Sequence, residues 1–203
     1  MINHTKKFIF VHIPKTAGST IEAVFARLFS VKLHEYIKWN NELNHWDQHL
    51  TLSEIKDTKV TSNAFTEYFK FSIVRNPWDR IISELAWRFG VRFLEGSITI
   101  QDFLSMKFKT KNRIDPERHL IPQYEFLYDK KGSLICDFIG KTENLQEDFN
   151  TICDKIGIPK QKLPRKNKSK HKHYTEYYDK ETKQIVAEKY AKDIEYFGYE
   201  FGE

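Results

Sequence analysis

The sequence predicts one α/β domain, a parallel β-sheet flanked by helices. Three observations carry that reading. A short apolar run, a tight turn and an amphipathic helical pattern follow one another three times along the chain, and strands alternating with helices build parallel sheets with helices on their faces. The 203 residues are 40% hydrophobic and 30% charged, which is globular composition at single-domain length. No repeat, low-complexity tract or Gly/Pro-rich linker interrupts them, so residues 1–203 read as a single domain.

The first unit begins at Lys7–Ile13, an apolar run that Pro14 closes because proline cannot donate to a continuing ladder. A helix should follow, with Ser19 and Glu22 spaced as a capping box and Ile21, Val24, Phe25 and Leu28 on one face. The second unit is Phe71–Val74, then Asn76 as N-cap, Pro77 at the first helical position, and Trp78, Ile81, Ile82, Leu85 and Phe89 facing inward. The third runs from Leu134–Gly140 into a helix with Leu145, Phe149, Ile152 and Ile156 buried. Between these units, Thr51–Asp57 and Thr99–Met106 read as short capped helices and Val60–Phe65 as a further strand. Glu181–Phe197 reads as one C-terminal helix.

Composition bounds the function. No apolar run approaches the roughly 18–20 residues that span a bilayer, and the first ten residues lack a signal-peptide cleavage pattern. The expectation is a soluble, cytoplasmic chain without a transmembrane segment. Cys136 and Cys153 are too few for a disulfide framework or a thiolate zinc site. The net charge of +5 is localised, since Lys155–Thr175 holds eight basic residues and no acid. Such an excess points to a phosphate-bearing or polyanionic ligand at one place.

Two loops carry the chemistry. Lys15, Thr16, Ala17, Gly18, Ser19 and Thr20 lie between the first strand and its helix, where outward N–H groups and the helix dipole favour an anion. The lysine precedes the glycine, so this is not a Walker A loop. Arg75 closes the second strand at the carboxyl edge of the sheet, where open α/β folds bind ligands, and its fork suits a phosphate. Asp79 is an equally available partner for it, and Ser83 stands two turns into the helix.

The segments FVHIPKTAGST, FSIVRNPWDRIIS, PQYEFL, GKTENL, YYDKETKQIV and DIEYFGYEF resemble the carbohydrate sulfotransferases that use 3′-phosphoadenosine 5′-phosphosulfate (PAPS). The likeness covers almost the whole chain. It implies a P-loop-kinase-like nucleotide-binding fold, PAPS as sulfuryl donor, a carbohydrate acceptor and no metal. It implies that Lys15 to Thr20 wrap the 5′-phosphate and sulfate, with Lys15 neutralising the leaving group, and that Arg75 and Ser83 hold the 3′-phosphate. It further implies that Arg165, Lys168 and Ser169, in the basic stretch, close over the adenosine.

Transfer to a hydroxyl benefits from a base, and histidine suits that role near neutral pH. The likeness places it between the two nucleotide loops, which selects His49, with His45 in reserve beside the acceptor and Glu22 or Glu54 as carboxylate alternatives. His12, in the first strand, reads as packed. His119 and Gln123 read as residues of the acceptor cleft. Nucleic acid is not expected as a partner. Two other readings stay open: a nucleotide-dependent phosphotransferase on the same fold, and a non-catalytic PAPS- or nucleic-acid-binding module using Tyr174, Tyr177 and Tyr178 as stacking residues. The oligomeric state is not readable.

Overall fold

The computed structural model of the protein describes residues 1–32, 39–40, 45–106, 116–164 and 172–203, with 39–40, 45–46 and 116–117 described by backbone alone. The elements run β1 (Ile2–Asn3), β2 (Phe8–Val11), α1 (Gly18–Leu28), β3 (Trp39–Asn40), β4 (His45–Trp46), α2 (Leu52–Thr58), α3 (Ser62–Glu67), β5 (Phe69–Val74) and α4 (Pro77–Phe89). They continue with α5 (Val91–Leu94), α6 (Ile100–Ser105), α7 (Pro116–Leu120), α8 (Tyr124–Leu127), β6 (Phe138–Lys141), α9 (Leu145–Ile156), α10 (Lys180–Lys189) and α11 (Ala191–Phe197).

The main sheet has the order β1-β2-β5-β6. β5 lies parallel to β2 and to β6, with Phe71 opposite both Phe10 and Phe138, and β1 adds an antiparallel edge at Ile2 and Asn3. β2 is buried on both faces because alternate residues enter different cores. Phe8, Phe10, Phe71 and Ile73 pack on Val24 and Phe25 of α1 and Phe149 and Ile152 of α9. Ile9, Val11 and Val74 pack on Leu52 and Ile55 of α2, Phe65 of α3 and Phe126 of α8. Each such fully buried side chain contributes roughly 1.5–3 kcal/mol. A third core lies beyond α4, where Trp78, Ile81, Ile82 and Leu85 meet Phe103 of α6 and Val186 and Tyr190.

The α/β class, the capped helices at Thr51 and Thr99, and the Asn76–Pro77 helix start are as expected from sequence. Four details differ. Residues 62–67 form α3 instead of a strand, because Thr61 accepts from the Ala64 N–H and starts a helix before β-propensity can act. The third strand is confined to Phe138–Lys141, since the Asp137 carboxylate takes the Lys70 N–H and Leu134 makes only an isolated bridge to Tyr128. Tyr190, at φ −114° and ψ 28°, splits the C-terminal helix into α10 and α11. The capping box expected at Ser19 and Glu22 does not form. Ala17 is the N-cap, without a side-chain bond, and Glu22 is drawn into the interior.

Cys136 and Cys153 are buried free thiols, and among the described residues no helix is long and apolar enough to cross a membrane.

Arg80 ties the site-bearing segments together. Its side chain is enclosed, and the guanidinium donates to the carbonyls of Pro14 at 3.2 Å, Ile121 at 3.0 Å and His119 at 3.0 Å. Arg80→Met strands three acceptors, each costing roughly 1–3 kcal/mol when left without a donor. Urea denaturation should show a loss of at least about 3 kcal/mol; a midpoint within experimental error of the wild type would refute this tie.

Candidate active site

β2 ends at Val11, and the chain passes through His12 and Ile13 into the loop from Pro14 to Ala17, after which α1 begins at Gly18. Lys15 and Ala17 adopt left-handed conformations, at φ 68° and 65°, which wind the loop tightly into the start of α1. Thr16 is buried and its hydroxyl donates to the Ile13 carbonyl, so that side chain serves the loop, not a ligand. Ser19 is exposed in the first helical turn and Lys15 is half-buried. Gly18 has a tight local reason. A Cβ there would lie 2.1 Å from Cδ2 of His12, so the absent side chain makes room for the histidine ring.

Arg75 joins the second loop to the first. Its Nη1 donates to the Lys15 carbonyl at 3.1 Å while its Nε donates to Asp79 at 2.8 Å, so the carboxylate orients the guanidinium against the cradle. Ser83 is half-buried one turn beyond Asp79, on the helix flank that carries Arg75's partner. Gln123 was expected in the acceptor cleft, and its position corrects that expectation. It is fully buried, accepting the Arg75 N–H at 2.9 Å and donating to the Arg75 carbonyl at 2.8 Å. Asp193 accepts the N–H groups of Gln123 and Tyr124. Gln123 therefore positions Arg75 from behind.

Beside the cradle, three imidazoles form a row. The rings of His12 and His49 are 5.2 Å apart and nearly perpendicular, and those of His49 and His119 are 5.1 Å apart at 75°. Carboxylates hold the outer two. His12 Nδ1 lies 3.0 Å from Glu22, which also accepts from Gln48, and His119 Nδ1 lies 2.7 Å from Glu84. Burial alone would push the Glu22 carboxyl up, but His12, the chain's amino terminus and Gln48 bring it down to about 2. Glu84 is likewise opposed by burial and lowered by His119, Arg88 and Lys15.

Lys15 stands at the far end of this row, its ammonium 4.9 Å from the centre of the Trp87 ring, while that ring stacks on His119 at 5.3 Å. Burial brings the Lys15 pKa down to about 8; Glu84 resists the shift, and Arg75 and Arg88 add to it.

The structure thus brings together Lys15, Arg75, His49 and His119 from four separate segments. Gln48, Glu84 and Trp87 were not singled out from sequence, and Glu22 was read there as a helix cap or a carboxylate base, not as the partner of His12. Glu84 carried a legible signal, a charge inside the apolar stripe of Ile81 and Leu85. The alternative carboxylate bases are engaged elsewhere, Glu22 with His12 and Glu54 with the Thr51 cap and Arg118. His45 is described by backbone only, in β4 opposite Asn40. Arg165, Lys168 and Ser169 lie outside the described residues. The stacking surface imagined for Tyr174, Tyr177 and Tyr178 is turned into the fold: Tyr174 is buried against Phe201, Tyr177 stacks on Phe93, and Tyr178 donates to the Trp78 carbonyl. Among the described residues no group of three or more His, Cys, Asp or Glu side chains is placed to hold a metal ion.

Fold and site together define an α/β protein with Lys15 and Arg75 tied together at its sheet edge and a carboxylate-anchored histidine row alongside. The sequence model of the Sulfotransferase family matches residues 1–200, and the chain belongs to that family. It is 26% identical to carbohydrate sulfotransferase 14 of Danio rerio, over 98% of this chain and 61% of that protein, and 25% identical to carbohydrate sulfotransferase 9 of Homo sapiens, over 93% and 46%. An uncharacterized protein of Archaeoglobus fulgidus is 30% identical over 57% of this chain and 90% of its own length. The chain spans about half to three fifths of the carbohydrate sulfotransferases it matches. No solved structure matches it.

Gly18→Ala must displace His12 from the cradle. Overpacking of this kind costs about 1–3 kcal/mol, and the expected readout is a lower melting temperature together with weaker anion binding. Unchanged values for both would contradict the close contact.

Proposed function

We propose that the chain transfers a sulfuryl group from PAPS to a hydroxyl of a carbohydrate acceptor and releases adenosine 3′,5′-bisphosphate. One observation carries the reading: Lys15 and Arg75, from different loops, are fastened side by side where burial and mutual repulsion bring Lys15 down to about 8. An anion between them relieves both penalties, and the donor supplies one at each end. The carbohydrate class of acceptor is supported by the names of the relatives.

Lys15 neutralises charge on the departing phosphate oxygen, and the backbone of Ala17 and Gly18 with Ser19 and Thr20 holds the phosphosulfate end. Thr16 contributes through the loop's shape. Arg75 and Ser83 take the 3′-phosphate, and Arg165, Lys168 and Ser169 are assigned to the adenosine end. The acceptor oxygen attacks sulfur as the bond from sulfur to the phosphate oxygen breaks, and the hydroxyl proton passes to His49. In-line displacement of this kind needs chiefly alignment and charge stabilisation. His49 is suited to the proton by position: it is the central ring of the row, between His12 and His119, which buried carboxylates hold in place. His119, on the acceptor side, completes the row.

The direct test is thermal denaturation without magnesium. Adenosine 3′,5′-bisphosphate at a hundred times its dissociation constant should add about 2.7 kcal/mol of stability, roughly 5–10 °C for a chain of this size. Adenosine 5′-monophosphate should add far less; stabilisation only by ATP with magnesium would replace sulfotransfer by phosphotransfer. His49→Ala should lower turnover by about 10²–10⁴-fold while keeping that stabilisation, and loss of donor-product binding instead would remove His49 from the proton's path.

Lys15 also predicts a pH dependence. Because its pKa is depressed to about 8, the free protein loses this charge above pH 8, and an anionic ligand must bring the proton back. The dissociation constant for adenosine 3′,5′-bisphosphate should rise from its value at pH 7 by up to about tenfold per unit above pH 8. Lys15→Arg keeps its charge and should flatten the profile. A wild-type constant that does not change up to pH 9.5 would show that Lys15 does not meet the anion.

A further inference from the structure

Trp87 is the bulkiest apolar side chain left exposed among the described residues, with 54% of its surface open, although α4 buries Trp78, Ile81, Ile82 and Leu85 on its other face. Nothing in the packing of α4 calls for an indole there. Among the described residues its ring meets groups of the site: Lys15 Nζ lies 4.9 Å from the ring centre, His119 stacks on it at 5.3 Å and 21°, and the Arg88 guanidinium lies 5.6 Å away. His119 is itself locked by Glu84, and Arg88 pairs with the same carboxylate. The indole is thus a rigid, half-open plate held against the lysine and beside the histidine row.

We propose that Trp87 is the platform on which the acceptor's pyranose ring stacks, a subsite for one sugar ring bordering Lys15 and His119. This rests on the sulfotransfer reading and adds the acceptor's binding face to it. A hydroxyl attacking sulfur beside Lys15 must approach to about 3–3.5 Å, so the ring bearing it lies within reach of an indole whose centre is 4.9 Å from that ammonium. The π face is negative and attracts the Lys15 and Arg88 cations. The axial C–H groups on the apolar face of a pyranose carry partial positive charge and meet the same surface, while the sugar's hydroxyl edge remains turned towards Lys15 and the imidazoles. Selectivity then falls on cyclic sugars with a continuous C–H face, and an open-chain polyol with the same hydroxyl count gains nothing.

The test uses the uniformly ¹⁵N-labelled protein. Trp87→Phe identifies the Trp87 indole N–H resonance by its disappearance. The wild type is then titrated with the methyl β-glycosides of glucose, galactose, N-acetylglucosamine and N-acetylgalactosamine, and with sorbitol, each up to about 50 mM, which covers dissociation constants in the millimolar range. Every titration is run with and without adenosine 3′,5′-bisphosphate. The expected result is a saturable shift of the Trp87 indole resonance with at least one pyranoside and none with sorbitol. An indole resonance that moves with no pyranoside, or equally with sorbitol, overturns the platform. Binding of the nucleotide is read separately by thermal denaturation of the same samples. Nucleotide binding without a pyranoside shift rejects the platform alone, and a pyranoside shift without nucleotide binding keeps the sugar subsite while rejecting the donor.

Discussion

The site depends on how the chain is held where β5 turns into α4. Four remote segments grip the two peptides there. Gln123 takes both the N–H and the carbonyl of Arg75, Glu143 accepts the Asn76 N–H, and the Asn76 amide donates to the Tyr174 hydroxyl and to the Glu200 carbonyl. A backbone in transit from strand to helix has no ladder partners of its own, so each of these groups would otherwise be buried unpaired. This accounts for the distant sequence elements PQYEFL, GKTENL and DIEYFGYEF. Gln123 comes from the first and Glu143 from the second; Asp193, which backs Gln123, and Tyr199, which donates to Glu143, come from the last. They act at one junction, and through Arg75 that junction sets the cradle.

Around that anchor the charges are arranged in opposition. Lys15, Arg75 and Arg88 are crowded together, and Asp79 and Glu84 keep them apart and in place. The histidine row repeats the device, with Glu22 and Glu84 at its ends. Buried carboxylates are costly unless paired and hydrogen-bonded; Glu84 has a partner on each oxygen, and one oxygen of Glu22 meets both His12 and Gln48. Neighbouring groups share these partners, so the cradle and the row form one electrostatic unit: Glu84 anchors His119, pairs with Arg88 and supports the charge on Lys15. The small residue Gly18 belongs to the same unit, since only its missing Cβ lets His12 lie against the loop.

Much of this was legible locally. The runs around Phe8 and Phe71, the Asn76–Pro77 helix start and the Thr51 cap are short-range signals, and each formed where its side chain had only neighbours to satisfy. The failures share one cause. Ser19 and Glu22 have capping-box spacing, yet Glu22 gains more from His12 and Gln48, which come from other elements. Gln123 looks like a cleft residue because glutamine is polar, and only the approach of Arg75 and Asp193 makes it an interior clamp.

By itself the sequence determined the α/β alternation, the turn that carries Lys15 between β2 and α1, and the strand end and helix start around Arg75 and Asn76, because apolar periodicity and helix starts act within a few residues along the chain. Tertiary structure alone decided that His12, His49 and His119 stand in one row, that Glu22 and Glu84 anchor its ends, and that Trp87 lies open beside Lys15. Those pairings join residues up to 72 positions apart, from Lys15 to Trp87, and no local pattern encodes which distant side chain will reach a buried charge. They follow from the order β1-β2-β5-β6, which sets β2 beside β5 and so brings the loop after one against the helix after the other.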